Sequence, residues 1–137
     1  MAPDQHKSTL RRYVEEVVNQ NRLSVIDKIF DATYVNHTPL GDMHGPEGMK
    51  TFIARVRAML PDVQAVIEDV IAEEDKAAMR LTLHGTYHGE ILGVAYQGRR
   101  VTLPEIQLYR FGHGRIVERW YIADRLGMWQ QLGALPR

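Results

Sequence analysis

Asp124 is the side chain in this sequence best placed to move a proton, because it follows an apolar strand-like run and precedes an apolar helical one. Trp120, Ile122, Leu126 and Met128 surround it in the chain. Low-dielectric neighbours disfavour an ionised carboxylate and make it a better proton acceptor, so Asp124 is the candidate general base. The same position between strand and helix suits an N-cap, whose side-chain oxygen accepts a backbone N–H and stabilises the ionised form. Burial must outweigh capping if Asp124 is to be the base.

A base that removes a proton next to a carbonyl needs a hydrogen-bond donor at the oxygen whose charge grows. Asn36 and His37 supply donors in a short segment that equally suits a turn. His84 lies on the polar side of its strand, as a pocket donor or a solvent-facing residue. Trp120 shares the parity of Asp124 and is a candidate wall for desolvating it, or a packing residue. Six histidines raise the question of a metal, but His37 and His44, or His84 and His88, have no ligand spacing, so no metal is expected. There is no HExxH, glycine-rich phosphate loop or nucleophile elbow, which argues against metalloprotease, nucleotide and serine-hydrolase chemistry.

These residues need elements to hold them. Leu10, Tyr13, Val14, Val17 and Val18 recur at helical spacing and predict a helix over 8–18. Ser24 with Asp27 reads as a shortened capping box before a second, short helix. Residues 34–37 read as a brief extended piece ended by Pro39 and Gly41. Gly45-Pro46-Glu47 opens a third helix that Pro61 closes. Beyond Pro61 the period falls to two: strands follow, with a Gly-rich connection from Gly89 to Gly98 and a hairpin through Gly112-His113-Gly114. Pairing across that hairpin puts Ile106, Leu108 and Arg110 on one face with Glu118, Trp120, Ile122 and Asp124, a face expected to line a pocket. A last helix, 126–132, stops at Gly133. Helices followed by a long antiparallel sheet predict an α+β fold in which the sheet curls into a cone with the helices over its concave side. Its open end is a natural small-molecule pocket.

At 137 residues the chain fits a single domain. Seventeen basic and seventeen acidic side chains cancel, leaving no field to gather nucleic acid or an anionic membrane. The chain has no cysteine, no apolar signal core at its start and no run long enough to span a bilayer, so it reads as a cytoplasmic, soluble protein. A curved sheet with apolar residues on both parities predicts a homodimer.

Three segments stand out together: Tyr34-Val35-Asn36-His37-Thr38-Pro39, Gly85-Thr86-Tyr87-His88-Gly89-Glu90, and the strand end from Trp120 to Asp124. With this order of elements the chain resembles the SnoaL-like polyketide cyclases of the nuclear transport factor 2-like superfamily, from about Lys7 to Gly133. The resemblance implies that fold's α+β barrel and an intramolecular aldol closure without metal or organic cofactor. The substrate would be a small apolar or aromatic carbonyl compound such as a polyketide ester. It implies that Asp124 is the general acid/base, that Asn36 and His37 line the cavity, and that Tyr13 approaches the substrate. One departure stands beside it. Where members present a histidine or small polar group, this chain has Leu108 and Arg110, and Arg110 either pairs with the aspartate or clamps a substrate carboxylate. An isomerase or dehydratase that only shuttles a proton, and a module that only binds a small molecule, remain alternatives.

Overall fold

The computed structural model describes residues 2–135. α1 (Pro3–Arg12) starts five residues earlier than the apolar spacing predicts and runs into a π-helical segment, Tyr13–Asn19, before one 3-10 turn (Leu23–Val25) and α2 (Ile26–Ile29). The Ser24–Asp27 capping box does not form, since neither short helix is opened by a side-chain cap. β1 (Phe30–Thr38) turns at Pro39 and Leu40 into β2 (Gly41–His44). α3 (Gly45–Met59) has Pro46 in its first turn, where a missing N–H leaves nothing unpaired. It buries Met49 and Ile53 and half-buries Phe52, Val56 and Met59.

Four strands follow: β3 (Gln64–Glu73), β4 (Lys76–Ile91), β5 (Val94–Gly112) and β6 (Arg115–Ala123), then α4 (Arg125–Gln131). The Gly89–Gly98 segment is no loose connection. β4 and β5 run through it to a two-residue turn, where Leu92 and Gly93 take φ of 52° and 81°. The next hairpin closes on His113 and Gly114, both at positive φ, as a type I′ turn requires. The six strands lie in the order β2-β1-β6-β5-β4-β3, in a curved sheet that does not close on itself. It is not wholly antiparallel: β1 and β6 pair in parallel, which the long stretch of chain between them permits.

The helices pack over one face of this sheet, with α1 and α3 against β3, β4 and β1. Side chains therefore sort by parity into an inner row under the helices and an outer row away from them. Ala77, Met79, Leu81, Leu83 and Tyr87 form the inner row of β4, and Val101, Leu103, Tyr109 and Phe111 belong to that of β5. On β6, Ile116 pairs with Phe111 and Glu118 with Arg110, so Val117 is an extra, bulged residue. The bulge resets the strand so that Arg119 and Tyr121 are buried, while Glu118, Trp120 and Ile122 lie on the other side. Among the described residues no helix is long and apolar enough to cross a membrane.

Candidate active site

The two strands share the face the sequence predicts, with Ile106 opposite Ile122, Leu108 opposite Trp120 and Arg110 opposite Glu118. Yet this face is the outer one. Ile122 is 75 % exposed and Ile106 61 %. Together with Pro39, Pro104, Leu108 and Trp120 they line an open hollow of about 1040 Å³, whose rim includes His37, Arg80 and Asp124. Asp124 is exposed, and its Oδ1 accepts the Gly127 N–H at 2.9 Å at the start of α4. The dry carboxylate expected there is instead a wet helix cap, because the strand end that carries it leaves the sheet on its outer side.

His37 is also outward. Its ring stacks on Trp120 at 5.2 Å, and its nitrogens contact two carboxylates, Nε2 to Glu118 at 2.7 Å and Nδ1 to Asp42 at 2.9 Å. Glu118, then burial acting the other way, then Asp42 set its proton affinity, and the outcome is a pKa above the usual imidazole value. Glu118 is held below the usual carboxylate range, first by the His37 hydrogen bond and also by Arg110, whose Nε lies 3.0 Å from its other oxygen. Arg110 therefore pairs with Glu118, and no ion pair joins it to Asp124 among the described residues. His84 is half-buried on the outer side of β4 between Gln64 and Thr102. Of the expected site residues, His37, Trp120 and Asp124 meet at one hollow, whereas Tyr13 and Asn36 are on the opposite side of the sheet.

There the inner row is unexpectedly polar. Glu105, Gln107 and Tyr109 alternate along β5, Arg119 faces them from β6, and Asn36 comes from β1; all five are buried. They form one hydrogen-bonded chain. Arg119 donates Nη1 to Asn36 Oδ1 at 3.0 Å and Nε to the Tyr109 hydroxyl at 3.1 Å. That hydroxyl donates to Gln107 Oε1, and Gln107 Nε2 donates to Glu105 Oε1 at 2.8 Å. Tyr13, held by the π-helical turn, sets its ring edge-on to Tyr109 at 6.3 Å. Burial raises the Glu105 pKa above the usual carboxylate value, although the Arg119 charge and the Gln107 hydrogen bond pull the other way. Asn36 Nδ2 is buried and has no hydrogen-bond partner among the described residues.

Glu105, Gln107, Tyr109 and Arg119 were missed because the apolar parity of these strands was assigned to the interior. One signal was present: Glu105 and Gln107 share parity with Val101, Leu103 and Phe111, the better core anchors.

A curved, unclosed six-strand sheet with helices over one side and a polar, titratable inner row defines a protein of the α+β class. The SnoaL-like polyketide cyclase family matches residues 8–132, and the chain belongs to that family. Aklanonic acid methyl ester cyclase AcmA of Streptomyces galilaeus is 30 % identical over 130 residues, covering 92 % of this chain and 89 % of the relative. Aklanonic acid methyl ester cyclase DnrD of Streptomyces peucetius is 27 % identical over 131 residues, 90 % of this chain and 88 % of that one. Among solved structures, TsrD from Streptomyces laurentii superposes with a TM-score of 0.86 at 27 % identity, covering 98 % of this chain and 99 % of that chain. IdmH from Streptomyces antibioticus gives 0.81 at 29 %, covering 93 % and 97 %.

Proposed function

We propose that the protein closes a ring in a small polyketide or ester-like substrate by acid/base catalysis, and that Glu105 rather than Asp124 is the acid/base group. Membership of a cyclase family supports the reaction type. The observation that carries the residue is that Glu105 is the buried carboxylate among the described residues, with a proton affinity raised by loss of water. A base works best when its pKa approaches the working pH. Ionised Glu105 takes a proton from the carbon between two carbonyls. The resulting enolate carbon attacks an internal carbonyl, one carbon–carbon bond forms, and protonated Glu105 returns its proton to the new alkoxide. The unpartnered Asn36 amide is a donor for the oxygen on which charge develops.

A second reading keeps Asp124 as the base, with His37 and Trp120 beside it, because all three line the large outer hollow. Its capping hydrogen bond and exposure work against it. The test is cyclisation of aklanonic acid methyl ester, followed by product chromatography. Glu105→Gln should lower turnover by about 10²–10⁴-fold, and Asp124→Asn, which retains the cap, should change it only a few-fold. The reverse order would give the role to Asp124. Solvent deuterium entering a β-keto ester with no cyclised product would replace ring closure by a proton shuttle. The same proposal includes a homodimer formed through the exposed outer face, where Ile106 and Ile122 stand.

A further inference from the structure

Among the described residues, Arg119 is a buried cation with no counter-ion in contact with it. It is 1 % exposed, and the acceptors it reaches, the Tyr109 hydroxyl and the Asn36 amide oxygen, are uncharged at neutral pH. Aromatic rings cage it: Tyr121 at 4.6 Å, Phe52 at 5.0 Å and Tyr109 at 5.7 Å. Ion pairs among the described residues all belong to other side chains. Glu105 acts on Arg119 only at a distance, with Gln107 and Tyr109 lying between them in the hydrogen-bonded chain. Buried charges are ordinarily paired, and ring faces compensate a guanidinium only in part.

Asn36 adds a second unfilled group. A guanidinium only donates, so the amide must turn its oxygen to Arg119, which fixes Nδ2 as the free end. That nitrogen is buried and unpartnered, one amide width from the cation. The pair has the composition of an anion receptor: a charged fork held by rings, and a neutral donor beside it.

Resting on the assignment of the inner face as the active site, we infer that Arg119 and Asn36 Nδ2 bind an anionic oxygen of the ligand. The site therefore selects the enolate of a 1,3-dicarbonyl compound over a neutral carbonyl compound of the same shape. Arg119 is thus a specificity residue that holds the ligand in its enolised form.

The probes are dimedone, a cyclic 1,3-dione that is an enolate at neutral pH, and its neutral O-methyl enol ether, with affinities measured by titration of the whole protein. The wild type should bind the enolate about tenfold or more tighter, as one charge-assisted hydrogen bond supplies. Arg119→Met should bring the ratio to about two or less. Arg119→Lys keeps the charge and should keep part of the preference, while Asn36→Leu, with Arg119 intact, should lower it. Equal affinities in the wild type, or no enolate binding, overturn the inference. So does an undiminished preference in Arg119→Met or, where that variant does not fold, in Asn36→Leu. No turnover is measured, so a catalytically indifferent Glu105→Gln with the preference retained would remove the cyclase mechanism and leave the receptor standing.

Discussion

Glu105 makes the stability of the protein depend on pH in a direction that can be worked out. Its native pKa is above that of the unfolded chain, because burial outweighs the help it receives from Arg119 and Gln107. The native state thus favours the protonated form. The stability this contributes is present in full below the ordinary glutamate value of 4.5 and is lost as pH rises through the higher native value. Glu105→Gln carries no such proton. Urea unfolding between pH 4 and 8 should show the variant gaining on the wild type as pH rises, and a gap that stays constant would show that the carboxylate is not desolvated. The same residue shows why the site was only half legible. Along β5 the outer positions Ile106 and Leu108 are more apolar than the inner Glu105 and Gln107, so hydrophobic alternation points to the wrong side of the sheet. Tyr13 was legible as inward from its helical spacing, and Asn36 as a donor from its residue type, while their place beside a substrate came only through the family resemblance.

At the scale of elements, some boundaries were legible where proline or a tight glycine turn punctuates the chain, whereas the glycines from 89 to 98 and the Ser24–Asp27 pair misled. Pro46 and Pro61 bracket α3, and His113-Gly114 makes the β5–β6 turn. The π-helical segment was not, because Val14, Val17 and Val18 present an apolar face whether hydrogen bonds run to the fourth or the fifth residue. Nor was the Val117 bulge, although it decides that Arg119 and not Trp120 enters the core. The wider helical turn ends at Asn19, whose side-chain amide pairs with β3 as a strand would: Nδ2 donates to the Ala65 carbonyl at 3.1 Å, and Oδ1 accepts the Ala65 N–H at 2.7 Å. Asn19→Ala removes both partners from half-buried backbone groups and should cost about 1–3 kcal/mol. Thermal unfolding checks this. A change near zero would mean that water replaces the amide and that the helix is held to β3 by packing alone.

The whole molecule leaves an apolar face outside and a polar chain within, an inversion that makes sense if each face has its own occupant. The inner row is closed over by α3 and carries the proposed acid/base group. The outer row, with Ile106, Leu108 and Ile122 exposed around the hollow, is the face on which the proposed homodimer would form, since apolar patches of this kind are uncommon on isolated chains. Its charged groups do not call for an outside ion: His37, Asp42, Glu118 and Arg110 satisfy one another, and Arg80 pairs with Asp69. A self-complementary contact fits such a face, because an apolar patch around a two-fold axis meets its own image without opposing like charges. Ile122→Glu, at the most exposed of these three positions, should therefore convert a dimer into a monomer in sedimentation velocity at micromolar concentration. The substitution lies on the outer side of β6, away from Glu105 and Arg119, so the fold and the enolate preference should survive it. If wild type and variant sediment alike, the outer face is not where two copies meet, and the hollow that Trp120, His37 and Asp124 line is open to a small molecule instead.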